Sequence, residues 1–204
     1  MIFEIKNIEY SISRKVILEK VNLKIDDKRH LLILGPSGCG KTTLLNLMSG
    51  LLKPDSGSIL FKSRDLADLK ENEIDRIRSE NFGFIFQKLH LIGHLNVKQN
   101  IDLVAKKKSR DVDIILKSLG LLNKTKYLAK HLSFGEAQRV AIARGIANNP
   151  KVIFADEPTS SLDDSNTKNV MDLILNQASK IGSTLIVCSH DIRIKKYFKN
   201  VLEL

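Results

Sequence analysis

The sequence predicts an α/β fold: a parallel sheet with a helical subdomain inserted into it. Three observations carry this. Short apolar runs, Leu31 to Leu34, Val152 to Ala155 and Thr184 to Val187, read as buried strands of a parallel sheet. A glycine-rich loop, Gly35 to Thr43, follows the first run and opens a helix. A long helical pattern, from about Val97 to Ala147, separates the first run from the other two.

The elements follow in order. Phe3 and Ile5, then Val16 and Leu18, then Val21, Leu23 and Ile25 alternate as half-buried strands do. The run Leu31 to Leu34 leads into GPSGCGKTT. There Gly35, Gly38 and Gly40 let the backbone turn tightly, so that successive N–H groups point at phosphate oxygens. Pro36, Ser37, Cys39 and Thr43 complete the loop. Lys41 supplies a positive charge for β- and γ-phosphates, and Thr42 a hydroxyl for magnesium. Leu44 to Met48 reads as the following helix, its positive N-terminal end beneath the phosphates. Ser56-Gly57 reads as a turn before a strand from Ile59 to Phe61. Gly83 to Phe86 reads as a strand ending at Gln87, and Leu89 to Ile101 as helical. Ile114, Leu116 and Leu119 precede Gly120, a helix stop. Val170, Leu173, Ile174 and Ala178 mark one face of a helix that ends near Gly182.

Four further sites carry chemistry. VIFADE, from Val152 to Glu157, is an apolar strand ending in two acids, at the sheet end where ligands bind. Asp156 reaches magnesium there, directly or through water, and Glu157 polarises a water facing the γ-phosphate. Gln87 ends one strand, with an amide oxygen for the metal or the water. His190 follows TLIVCS and could bridge γ-phosphate and water. Taken alone, either is an ordinary polar residue at a strand end. In LSFGEAQRVAIAR, Ser133 and Glu136 have capping-box spacing, and a helix N-terminus with Ser133 and Gly135 is a ready anion site. Local pattern leaves a plain capped helix equally open.

Composition narrows the class. The 204 residues and 43% hydrophobic content suit one compact α/β domain, or one core with a small appended subdomain. No apolar run approaches the roughly 20 residues that span a bilayer, and MIFEIKNIEY lacks a signal peptide's apolar stretch, so the expected location is cytoplasmic. Cys39 and Cys188 are the only cysteines, one in the loop and one on a strand, which argues against a structural disulfide. The net charge is +10, densest at Lys106, Lys107 and Lys108, with Arg193, Lys195, Lys196 and Lys199 near the end. No aromatics alternate with these charges, so they read as a solvated face, with weak attraction to anionic lipid as the minor reading, and not as a nucleic-acid surface.

Together and in this order the sites resemble the nucleotide-binding subunit of ATP-binding-cassette transporters, over essentially the whole chain. GPSGCGKTT resembles Walker A, VIFADE resembles Walker B with the catalytic glutamate, and Gln87 matches the Q-loop. LSFGE is similar to the signature, Ser160-Ser161-Leu162-Asp163 to the D-loop, and His190 to the switch histidine. The resemblance implies a P-loop core with a small antiparallel β subdomain and an inserted helical subdomain at about 88–147, all one ATP-binding domain over 1–204. It implies ATP and Mg2+ as cofactors. It implies a head-to-tail homodimer in which Ser133 and Gly135 act at the partner's nucleotide, Asp163 as a further nucleotide-binding residue, and a separate membrane permease that places the chain at the cytoplasmic face of the membrane. The stretch from Asp65 to Ile101 resembles the lipoprotein-release, macrolide-export and bacteriocin-export branch. That branch implies export of a peptide, lipoprotein or hydrophobic compound. A cell-division-type cassette that couples to a membrane partner without transport is the alternative.

Three departures stand out. Phe134 replaces the family's usual glycine, so it is strained if the position needs positive φ, or it covers the partner's site. The adenine-stacking aromatic aligns with Ile12, with Tyr10 two residues earlier as a substitute. Few residues follow His190, so the family's usual last elements are trimmed and VLEL is the one strand left. The interval from Lys41 to Ser133 is too short for the coiled coil of chromosome-maintenance cassettes, and each motif occurs once, unlike tandem translation factors.

Overall fold

The computed structural model describes residues 1–105, 109–160 and 162–204, and no side chain at 109–111. Lys106, Lys107, Lys108 and Ser161 lie outside the described residues.

Two sheets form. The first is antiparallel: β1 (Phe3–Ile12) pairs with β2 (Lys15–Ile25) and with β4 (Ser56–Phe61), and β4 pairs with β5 (Arg64–Asp65). The second holds five strands in the order β6 (Phe82–Ile85), β7 (Val152–Asp156), β8 (Thr184–Ser189), β3 (Leu31–Leu34), β9 (Asn200–Glu203), all parallel. The helices are α1 (Lys41–Met48), α2 (Glu71–Asn81), α3 (Val97–Asp102), α4 (Ser109–Ser118), α5 (Phe134–Ile146) and α6 (Asp164–Ile181).

The period of two in the parallel strands sorts their side chains between two cores. Leu31 and Ile33 of β3, Val152 and Phe154 of β7, and Ile186 and Cys188 of β8 face the antiparallel sheet and α1. Their alternates, Leu32 and Leu34, Ile153 and Ala155, Leu185 and Val187, face α5 and α6. Continuous apolar runs are thus required, because both faces are covered. A third core joins α3, α4 and α5 through Val97, Ile101, Leu116, Leu121 and Val140.

The helical pattern expected over about 97–147 forms α3, α4 and α5, and Gly120, at φ 67°, follows the end of α4 as a helix stop, with short turns at Leu122–Lys124 and Ala129–His131 before α5. Three expectations are corrected. Leu89 to Asn96 is not helical. Asn96 starts α3 instead, accepting from the Gln99 N–H at 2.8 Å while Gln99 accepts from the Asn96 N–H at 2.9 Å. Ser56-Gly57 is inside β4 and not a turn before it: Gly57, at φ 85°, lies against the Lys6 and Asn7 carbonyls, where β1–β4 pairing is irregular. The strand expected at Gly83–Phe86 begins one residue earlier and releases Phe86 into the loop. Gly182 does end α6, at φ 64°, and VLEL does contribute to a parallel strand, β9. No helix among the described residues is long and apolar enough to cross a membrane.

Candidate functional site: the carboxyl ends of the parallel strands

Register brings the sequence motifs to one edge. Leu34 pairs with Ser189, Asp156 with Cys188 and Ile85 with Ala155, so the loops after β3, β6, β7 and β8 leave the sheet together. Gly35 to Gly40 is the first of these loops. Gly38 and Gly40 have φ of 82° and 102°, and Gly40 sits tightly against Ile17 and Leu18, where a Cβ would lie 3.0 Å from Leu18 Cδ2. Pro36, Ser37 and Gly38 are exposed, Cys39 and Thr43 half-buried. The loop therefore offers its backbone to solvent while α1 anchors it from behind.

Lys41 is 5% exposed and folds back across the loop. Its Nζ donates to the carbonyls of Gly35 at 2.9 Å and Pro36 at 2.8 Å and lies 3.5 Å from Glu157 Oε1. Thr42 Oγ1 donates to Asp156 at 2.9 Å and 3.2 Å to its two oxygens. Burial pushes the Asp156 carboxyl above its ordinary value, the Thr42 hydroxyl draws it down, the Glu157 charge raises it, and Lys41 lowers it. Beneath the loop, burial pushes the Cys188 thiol up, and it donates to the Lys41 carbonyl at 3.5 Å. Both cysteines are free.

Glu157 is the hub. Its φ is 48°, a left-handed conformation uncommon outside glycine, and its N–H is held by the Cys188 carbonyl at 2.8 Å. Its Oε2 meets His190 Nδ1 at 2.9 Å and accepts from Ser189 Oγ at 3.2 Å. Ser189 was not singled out from sequence. As the last residue of a buried strand it carries no local signal, and only the β7–β8 pairing brings it to Glu157.

The remaining expected residues lie apart from this cluster. Gln87 is exposed, just past β6, and among the described residues it makes no hydrogen bond to Thr42, Asp156 or Glu157. Tyr10 packs partly against the core while Ile12 is 50% exposed. Asp163 caps α6, accepting from the Asn166 N–H at 2.7 Å. Ser133 caps α5: its Oγ accepts from Glu136 N at 3.3 Å, and Glu136 accepts from Ser133 N at 2.9 Å. The Ser133 N–H first, then the Ser133 hydroxyl and the Lys124 ammonium, hold the Glu136 carboxyl below its ordinary value. Gly135 is exposed in the first turn. Phe134 opens the helix with ordinary φ and is 59% exposed, so the strain expected there is absent: with Ser133 as cap, position 134 is helical.

The donor set suits a hard cation only in part. Thr42 and Asp156 bring a hydroxyl and a carboxylate together, yet no cluster of three or more His, Cys, Asp or Glu occurs among the described residues. Such a site takes its remaining oxygens from phosphate and water, as magnesium sites do.

Comparison with known proteins agrees with this geometry. The ABC transporter family matches residues 18–160. The lipoprotein-releasing system ATP-binding protein LolD of Buchnera aphidicola is 43% identical over 195 residues, 92% of this chain and 85% of that protein. An ABC transporter ATP-binding protein of Methanocaldococcus jannaschii is 39% identical over 94% of this chain and 88% of its own length. The macrolide export ATP-binding/permease protein MacB of Burkholderia thailandensis is 36% identical over 93% of this chain, which spans 30% of that longer protein. Among solved structures, the ATP-binding cassette MJ0796, in a dimeric post-hydrolysis state with ADP and Pi, superposes with a TM-score of 0.86 at 32% identity, covering 99% of this chain and 94% of that one. With the family spanning the phosphate loop, the capped helix α5 and the acids after β7, the chain belongs to the ABC transporter family, as one of its ATP-binding, ATP-hydrolysing subunits.

Proposed function

We propose that this chain is the magnesium-dependent ATPase of an exporter, working as a homodimer beneath a separate permease at the cytoplasmic face of the membrane. Substrates of the peptide, lipoprotein or hydrophobic class fit the likeness to LolD and MacB. Residues 1–204 act as one ATP-binding domain, with about 88–147 as its helical arm.

The observation that carries the reading is Glu157, whose two oxygens touch Lys41 and His190, one residue from the Asp156–Thr42 pair. Thr42 and Asp156 would hold Mg2+, which supplies charge neutralisation between phosphate oxygens. Lys41 exchanges its two carbonyl partners for phosphate oxygens, and that move frees Glu157. The Glu157 carboxylate then accepts a proton from the attacking water, with His190 and Ser189 holding its Oε2. In the dimer the α5 N-terminus, with Ser133 and Gly135, faces the nucleotide of the other copy, where its unpaired N–H groups favour phosphate.

Glu157→Gln tests this. The variant keeps ATP affinity, turns over about 10²–10⁴-fold more slowly, and elutes as a dimer with ATP and Mg2+. Hydrolysis at the wild-type rate would remove Glu157 from the role of base.

A further inference from the structure

One guanidinium ties together the loops that surround Glu157. Arg193 lies in the short turn Ile192–Tyr197 after β8. Its Nε and Nη2 donate to the two oxygens of Asp191, each at 2.8 Å. Nη2 also donates to the Leu162 carbonyl at 3.1 Å, and Nη1 pairs with the Asp164 carboxylate. Asp191 carries the contact inward. Its Oδ2 accepts from Thr159 Oγ1 at 3.2 Å, and its N–H donates to Ser189 Oγ at 3.0 Å. That same Ser189 hydroxyl donates to Glu157 Oε2 at 3.2 Å. The chain Arg193–Asp191–Ser189–Glu157 thus joins the start of α6, the loop after β7 and the loop bearing His190.

We propose that Arg193 is a positioning residue for ATP hydrolysis: it holds the segment around Leu162 and Asp164 in register with the His190 loop, and through Asp191 and Ser189 it aims the Glu157 carboxylate. This rests on the reading of Glu157 as base. Three features support it. Glu157 occupies a left-handed conformation, which persists only where its surroundings over-determine it. Asp163 already caps α6, so the bonds from Arg193 to Leu162 and Asp164 are not needed to start the helix. A bidentate fork with two further acceptors needs a planar guanidinium, and an ammonium cannot reproduce it. The Arg193 bond is also what chiefly holds the Asp191 carboxyl below its ordinary value. Arg193 touches no residue of the phosphate loop. Its loss should therefore spare nucleotide binding and fall on turnover.

The test uses the full chain with ATP and Mg2+. Arg193→Ala should lower kcat by roughly 10²-fold through misplacement of the base, with KM and calorimetric ATP affinity changed by less than about twofold. Arg193→Lys should recover only part of the rate. In a Glu157→Gln background, single-turnover rates should show no further loss on adding Arg193→Ala, because the carboxylate it aims is gone. A full additional loss there, or a fall in ATP affinity and melting temperature in step with kcat, would assign Arg193 a purely structural role and overturn the proposal. Wild-type turnover in Arg193→Ala with slow Glu157→Gln would overturn it while leaving the base in place. Wild-type turnover in Glu157→Gln would remove the base and this proposal together.

Discussion

Asp156 and Lys41 set the balance between stability and binding at the phosphate loop. Burial raises the Asp156 pKa, so the folded protein disfavours the charged form more than the unfolded chain does. For an acid shifted upward the sign is unfavourable: stability falls as pH rises from the ordinary value of 3.8 through the raised one. Asp156→Asn should therefore melt higher than wild type near neutral pH without nucleotide, and the gap should close as pH falls through that window. Scanning calorimetry across pH reads this, and a variant that melts lower at neutral pH contradicts it. The same variant should lose the magnesium dependence of ATP affinity. Lys41 presents the opposite case, a buried cation fully paired by two carbonyls and Glu157. Removing its ammonium deletes the charge that meets the β- and γ-phosphates. Lys41→Ala should weaken ATP binding by at least about tenfold, the worth of one hydrogen bond to a charged group. Unchanged calorimetric affinity would sink the phosphate-loop assignment.

The contact of β6 with α5 shows what an element can require beyond its own pattern. A Cβ on Gly83 would lie 1.9 Å from the Gly145 carbonyl oxygen and 2.9 Å from Pro150 Cγ, and neither the helix backbone nor the proline ring can yield cheaply. Gly83→Ala should cost roughly 1–3 kcal/mol, read as a lower urea midpoint at constant slope. Full stability in that variant would mean that strand and helix can separate without penalty. Sequence shows Gly83 inside an apolar run but not that another chain segment crosses it, because close backbone approach leaves no mark on spacing. What was legible follows the same logic. The parallel strands β3, β7 and β8 were read from unbroken apolar runs, since burial on both faces demands them. The α5 start was read from Ser133 and Glu136, since a capping box is local. The loop from Leu89 to Asn96 was misread as helix because its leucines satisfy tertiary contacts at helix-like spacing: Leu91 packs on the third core, Asn100 Oδ1 holds the Ile92 N–H at 2.7 Å, and Asn100 Nδ2 donates to the Leu95 carbonyl at 3.3 Å. The Glu157–Ser189–Asp191–Arg193 chain was illegible because it depends on strand pairing and not on spacing.

Across the whole molecule, we propose the loop after β6 as the mechanical route from nucleotide to membrane partner. Arg144 of α5 donates to the Leu89 carbonyl at 2.7 Å and the His90 carbonyl at 2.6 Å. Burial lowers the Arg144 pKa, yet both bonds keep the cation in place. The loop that begins at Gln87 is thereby fixed to the helix whose N-terminus is capped by Ser133, so displacement at one end of α5 reaches the other. A permease that grips this loop would feel dimer closure directly. The apolar groups there divide by burial. Leu89, Leu91 and Leu95 are half-buried, and Leu91 packs on the third core, so Leu91→Asp would test folding and not docking. Ile92 is 37% exposed, with Leu103 at 56% and Val104 at 42% on the same helical arm. Ile92→Asp should therefore leave the circular dichroism spectrum and ATP affinity unchanged. An aspartate buried at the centre of an interface costs on the order of 2 kcal/mol or more, about thirtyfold in affinity. The permease that copurifies with the wild-type chain should be lost from the variant in detergent pull-down, and stimulation of ATPase by permease should be lost with it. A folded Ile92→Asp chain that retains the permease at the wild-type level would move the docking surface elsewhere on the molecule.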